Sequence, residues 1–350
     1  MKGSELKTQI KKATQFSQCI FHDTNECSSK IINGHSISKS KILDTLSQDA
    51  FVYIPEIDFD SQPNFNRKPK TFMDLIAPKL GLPNIKISRI TKKNCSTSKV
   101  FCAKHDQSLF SIIDQTAFED TIDQIFQYSY RAFSKEYSAV IKEKKLYESF
   151  PIHKKIDVSL IDLKVSDIEN SKQKFDDAYL KKEFDIFESF YHKLPYEVNL
   201  AVSTCYNPPM DFEGNKLVNL YSRDEKRTPQ IFLNVFPENG KTVILFSFFR
   251  DDKRLFKNYF NQLEKISKNK NNFRRVLNHI LVTYPENIVF GEKLNQYMTK
   301  TKKWDYYKSD FMEFSYLPLI RFGELGDMSD LMYSEQQKRK LEYNLLQNYI

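Results

Sequence analysis

Two Cys-x2-His steps constrain this chain more than any other feature: Cys19-Ile20-Phe21-His22, with Cys27 five residues beyond its cysteine-histidine pair, and Cys102-Ala103-Lys104-His105. A gap of two residues lets both side chains of a knuckle turn toward one ion. Two knuckles brought together supply the four nitrogen and sulfur ligands that zinc prefers. The cysteine count is five, an odd number, and the opening MKGSELKTQIKKATQF is polar with no apolar segment of signal-peptide type. A reducing, cytoplasmic location is therefore expected, where metal binding is a better default for cysteine than a disulfide framework. Two ligand sets remain open: Cys19, His22, Cys102 and His105, or the same set with Cys27 in place of His22. Cys95 lies in the polar run TKKNCSTSK and reads as a bystander, and Cys205 at a strand end reads as a small buried side chain.

The sequence divides by texture into three stretches and is expected to form an α+β protein. Residues 1–114 hold short pieces around the candidate zinc site: a strand-like SSKIINGHSI, a helix-like SKSKILDTLS, a strand-like AFVYIPEI and the polar loop DFDSQPNFNRKPK. Residues 115–194 turn helical, with Phe118, Ile122, Ile125, Phe126, Tyr130 and Phe133 at helical spacing. Residues 165–193 read as a second long helix antiparallel to the first, making a central hairpin. In residues 195–350 the runs VNLAVSTCY, PQIFLNVF and KTVILFSFF read as strands. The last two are joined through Asn239-Gly240, a tight-hairpin pair. Three amphipathic segments after them, from DDKRLFKNYFNQLEKIS onward, are expected to be helices covering a small antiparallel sheet.

A zinc half-site, then a strand ending in a histidine, then a helix, then Cys102-x2-His105 opening another helix resembles a diverged HNH, or ββα-metal, module built on a treble-clef zinc site. The segment His35-Ser36-Ile37-Ser38-Lys39-Ser40 is similar to the His-Ile-Ile-Pro-Lys-Ser phrasing of that family. The resemblance covers roughly residues 16–114. It implies that His35 is the general base activating a water against a phosphodiester, that Asp106 ligates a catalytic Mg2+ or Mn2+, and that Asn94 orients the histidine. The chain departs from the pattern at Gly34, where a second metal-binding His or Asp is common. The resemblance also implies a DNA or RNA partner, an antiviral-defence or mobile-element setting, and a partner protein from the same operon. The alternative is a catalytically inactive zinc-stabilised binding or sensor protein that recognises a protein.

A formal charge of +8 is compatible with nucleic acid. Lys39, Lys104 and Arg131 are the candidate phosphate contacts. Arg131 belongs to a run on the first long helix in which Tyr128, Tyr130 and Tyr137 interleave with Lys135, Lys142, Lys144 and Lys145. Such a face either meets phosphates and bases or is a core stripe beside a solvated one. No Gly-rich phosphate loop, GxSxG, HExxH or dinucleotide fingerprint occurs, and only eight glycines are present. No run of about 18 apolar residues is available to span a membrane.

Overall fold

A computed structural model describes residues 3–23, 25–28, 30–61, 78–79, 83–149, 158–218, 227–284, 286–320 and 340–348. Most of the polar loop DFDSQPNFNRKPK, His153, Arg223, Asp224 and Glu225 lie outside the described residues. The protein mixes helix and antiparallel sheet. Its helices are α1 (Gly3–Ala13), α2 (Asp44–Leu46, entered through a π turn at Lys39–Leu43), α3 (Ala103–Gln115), α4 (Ile122–Ser149), α5 (Val158–Lys181), α6 (Lys253–Ser267), α7 (Lys270–Thr283), α8 (Glu292–Lys300) and α9 (Trp304–Ile320). No helix among the described residues is long and apolar enough to cross a membrane.

Seven strands form one sheet: β2 (Phe51–Asp58), β3 (Asn84–Thr91), β5 (Phe187–Leu194), β6 (Leu200–Tyr206), β7 (Ile231–Glu238), β8 (Lys241–Phe249) and β9 (Ile288–Phe290). Their order is β3-β2-β9-β6-β7-β8-β5, and every pairing is antiparallel. The apolar runs of β6, β7 and β8 are buried almost end to end because the sheet is covered on both faces. Alternation sorts their side chains. Ala201, Cys205, Phe232, Phe236, Val243, Leu245, Phe249 and Val289 face a core shared with α3, α4 and α5. Leu200, Val202, Leu233, Val235, Ile244, Phe246, Ile288 and Phe290 face a second core under α6 to α9. The β7–β8 connection is the tight turn expected, with positive φ at both Asn239 (51°) and Gly240 (76°), the type I′ geometry that suits the twist of a hairpin.

The central hairpin is shorter than its sequence suggests. α4 and α5 are antiparallel, as three cross-links with opposite drift show: Tyr137 hydroxyl to Glu169 (2.7 Å), Lys164 to Glu143 (3.1 Å) and Lys144 to Asp162 (3.4 Å). Yet α5 stops at Lys181, and the expected helix over 165–193 is wrong from Lys182 onward. Lys182 takes a left-handed φ of 57°, and the Glu183 N–H closes back on the Ala178 carbonyl (2.9 Å), a helix-ending turn. Phe187–Leu194 then pairs over its whole length with β8 as an edge strand. Strand pairing and burial of Phe187 among Phe175, Phe232 and Phe249 outweigh the helical preference of a Lys- and Glu-rich run.

The first stretch shares the core of the rest. β2 joins the sheet through Tyr53 opposite Phe290, and Cys19, Leu43, Phe101 and Phe110 lie in the same cluster as Phe133, Phe175 and Phe232. The strand-like SSKIINGHSI keeps only Gly34–His35 as β1, paired with β4 (Thr97–Ser98) as Gly34 opposite Ser98 and His35 opposite Thr97. A buried polar relay ties this small ribbon to the main sheet: the Ser96 hydroxyl donates to Asn287 Oδ1 (2.9 Å), and Asn287 Nδ2 donates to the Ser36 hydroxyl (3.0 Å) and the Ser203 carbonyl (2.8 Å).

Candidate metal centre

The cysteine-rich ends of the first stretch are zipped together by backbone. Gln18 N–H donates to Lys99 O (3.1 Å), Ile20 N–H to Val100 O (2.9 Å) and Ile32 N–H to Phe101 O (3.0 Å). This brings Cys19 and Cys27 to Cys102, which occupies the N-cap of α3, while His105 stands in that helix's first turn. A thiolate at such a position gains from the positive end of the helix dipole.

The ligand atoms of Cys19, Cys27, Cys102 and His105 all lie within 4.8 Å of one another. His105 Nδ1 is 3.4 Å from Cys19 Sγ, 3.6 Å from Cys27 Sγ and 3.4 Å from Cys102 Sγ. One imidazole nitrogen has a single proton or a single lone pair and cannot serve three sulfurs. The spacing instead matches the sulfur–nitrogen edge of a tetrahedron around zinc, about 3.6 Å for ordinary bond lengths. The group could hold a metal ion such as zinc. Burial and the adjacent Cys19 push the Cys27 thiol up to about 12. At Cys102 burial acts the same way, but hydrogen bonds from Ser28 and from the His105 backbone outweigh it and bring the thiol to about 7. A divalent cation would stabilise all three thiolates at once. Burial, with Lys104 nearby, lowers the His105 imidazole, which keeps it in the neutral form a ligand needs.

Of the two sets left open by the sequence, the gathered group contains Cys27 and not His22. The His22 ring packs on Phe21 (4.2 Å between centroids) and near Tyr179 (5.7 Å). Cys95 and Cys205 are buried elsewhere and stand outside the group.

Beside the centre, the β1–β4 ribbon comes close to the first turn of α3. The carboxylate of Asp106, one residue past His105, lies over Gly34: a Cβ on Gly34 would come 2.7 Å from Asp106 Oδ1. A side chain at this position would have to displace that carboxylate. Gly34→Ala is expected to cost about 1–3 kcal/mol by forcing that carboxylate aside; an unchanged urea midpoint would mean that Asp106 swings away freely. His35 Nε2–H donates to the Lys92 carbonyl (3.1 Å). Burial lowers the His35 pKa against the smaller opposing effect of that bond, and burial raises the Asp106 carboxyl.

No protein-family model, curated protein or solved structure matches this chain.

Asn94 does not meet its expected role as orienter of the histidine. It is exposed in the turn between β3 and β4, and the group that meets His35 is the Lys92 carbonyl. Arg131 is not a surface phosphate contact either: it is 4% exposed, donates to both oxygens of Asp114 (2.8 and 2.7 Å) and covers the Phe110 ring. Tyr128, Tyr130 and Tyr137 are buried with it, so that part of the helix face is core. Its apolar spacing was visible in the sequence, but Asp114, the partner that draws a guanidinium inside, lies on another helix. Lys39 is exposed, and exposed Lys104 is paired with Glu26 (2.7 Å).

Proposed function

We propose that this chain is a zinc-stapled, HNH-like protein that acts on nucleic acid, hydrolysing a phosphodiester with His35 as general base. The observation that carries the reading is the juxtaposition made by β1, β4 and α3. The metal-binding group builds the N-terminus of α3, that helix lays Asp106 over Gly34, and His35 follows in β1 with its Nε2–H on a backbone carbonyl. A carbonyl that accepts from Nε2 leaves the lone pair on Nδ1, the tautomer that can take a proton from water. The lowered pKa keeps that imidazole neutral near pH 7. Asp106 supplies one carboxylate, the fewest that a Mg2+ or Mn2+ site uses when substrate phosphate and water complete the shell. A cation bound there with substrate would offset charge on the leaving oxygen. Exposed Lys39, close enough to His35 to lower its pKa, is placed to meet a phosphate.

Plasmid and RNA cleavage with added Mg2+ or Mn2+ tests the reading. His35→Ala is expected to keep the metal at the cysteine group and lose about 10²–10⁴-fold in rate. The wild-type rate is expected to fall only as pH drops below the ordinary histidine value of 6.5, since the folded pKa lies lower. A folded, fully active His35→Ala protein would sink the mechanism.

A zinc-stabilised, non-enzymatic module that recognises a protein partner is favoured by one observation. Asp114, the carboxylate that acts on Asp106, is already neutralised by Arg131, which leaves Asp106 the free member of the two for a cation. One bound zinc without cleavage would move the assignment to this module. A cytoplasmic antiviral or mobile-element setting goes with either reading.

A further inference from the structure

A cavity of about 10 Å3, room for one water-sized particle, lies where α5, the chain entering β7 and the end of β8 meet; its walls include Asp167, Arg227, Gln230, Phe249 and Asp252. Three of these lining residues each carry a buried oxygen without a hydrogen-bond partner: Asp167 Oδ1, Gln230 Oε1 and Asp252 Oδ2. Their residues are 5%, 8% and 3% exposed. The other oxygen of each carboxylate is engaged and holds its group in place. Asp167 Oδ2 accepts from the Thr228 N–H (2.9 Å) and hydroxyl (2.5 Å), and Asp252 Oδ1 pairs with Arg227. Asp252 stands at the N-cap of α6 yet makes no side-chain cap bond, although an aspartate there ordinarily accepts from the first helical N–H groups.

The missing partner must be positive or a donor. A water has two protons and cannot serve three acceptors. Lys174, which also lines the cavity, is drawn away to Asp251 (2.7 Å) and over the Phe249 ring. Arg227 pairs with Asp252 and also bears on Asp167, so one guanidinium is shared between two carboxylates. We propose that Asp167, Gln230 and Asp252 form a binding site for one hard divalent cation of the Mg2+, Mn2+ or Ca2+ class, the single particle that the cavity admits. An all-oxygen set of carboxylates and an amide carbonyl suits such ions and not zinc. The cation ties α5 to the entry of β7 and the start of α6. It draws on no residue of the cysteine group or of the His35 arrangement. Burial raises the Asp167 carboxyl against the opposing Thr228 hydrogen bonds and Arg227 charge.

Titration of the zinc-loaded full chain with Mn2+, counting free Mn2+ by electron paramagnetic resonance, tests the site without any cleavage assay. One Mn2+ per chain is expected, displaced by Ca2+ or Mg2+. Asp167→Asn weakens it by more than about tenfold, whereas Asp106→Asn leaves it unchanged. Gln230→Leu, which leaves both carboxylates with their present partners, gives the same loss and stands in if Asp167→Asn does not fold. No Mn2+ bound at millimolar metal, or binding lost with Asp106→Asn and kept with Asp167→Asn and Gln230→Leu, overturns the proposal.

Discussion

Cys102→Ser is expected to release the metal ion and destabilise the protein by more than about 5 kcal/mol, because structural zinc binding is folding free energy. Cys102 has two functions here. Its sulfur is one of three that surround His105 Nδ1, and its residue starts α3, the helix that carries His105 and Asp106. Without it the backbone zipper from Gln18 to Ile32 against Lys99 to Phe101 loses its clasp. The buried Phe21, Phe101 and Phe110 beside it then lose their packing. Metal analysis with urea unfolding checks the effect: one zinc per chain in the wild type, less than one in Cys102→Ser, and a similar loss after strong chelation of the wild type. Cys95→Ser and His22→Gln are expected to retain the zinc, since neither residue belongs to the gathered group. Zinc lost with His22→Gln but kept with Cys27→Ser would reverse the donor set.

Breaking the Arg131–Asp114 pair from the acidic side is the second large effect. Asp114→Ala is expected to cost about 3–5 kcal/mol, because it leaves a guanidinium buried and unpaired. The two sides are unequal: the Arg131 side chain is 5% exposed and the Asp114 side chain 36%. Arg131→Met is therefore expected to cost less, about 1–3 kcal/mol, since the freed carboxylate can be hydrated and methionine can still cover Phe110. A double variant, Asp114→Leu with Arg131→Met, recovers part of the loss, and equal, additive costs would argue against the pair. The pH dependence has a definite sign. Burial acts to raise the Asp114 carboxyl, but the hydrogen bonds and charge of Arg131 hold it below 3.8. Its contribution is present above that value and is lost as pH falls through the lower, folded one. The penalty of Asp114→Ala should accordingly shrink in strong acid.

Much of the site was legible because its signals are local. Cys-x2-His at a helix start places a thiol at the N-cap and an imidazole one turn later, whatever the rest of the chain does. Asn239-Gly240 between apolar runs likewise specifies its own turn, because its backbone preference needs no distant contact. The apolar runs of β6, β7 and β8 announced buried strands for a similar reason.

Local sequence patterns were therefore enough for the mixed helix and sheet, the hairpin turn, and a short roster of residues that could hold a metal, with one position in doubt. The gathering of Cys27 rather than His22 with the other candidate ligands, the inward turn of Arg131 and the strand at Phe187–Leu194 came from the folded arrangement. It also decided that β2 and β3 of the first stretch extend the sheet of the last. Each of these depends on a partner far away in the chain: Cys102 for Cys27, Asp114 for Arg131, β8 for β5 and β9 for β2. Pairing and burial energies of that kind act between surfaces that exist only once the chain has folded, so no local pattern of residues can express them.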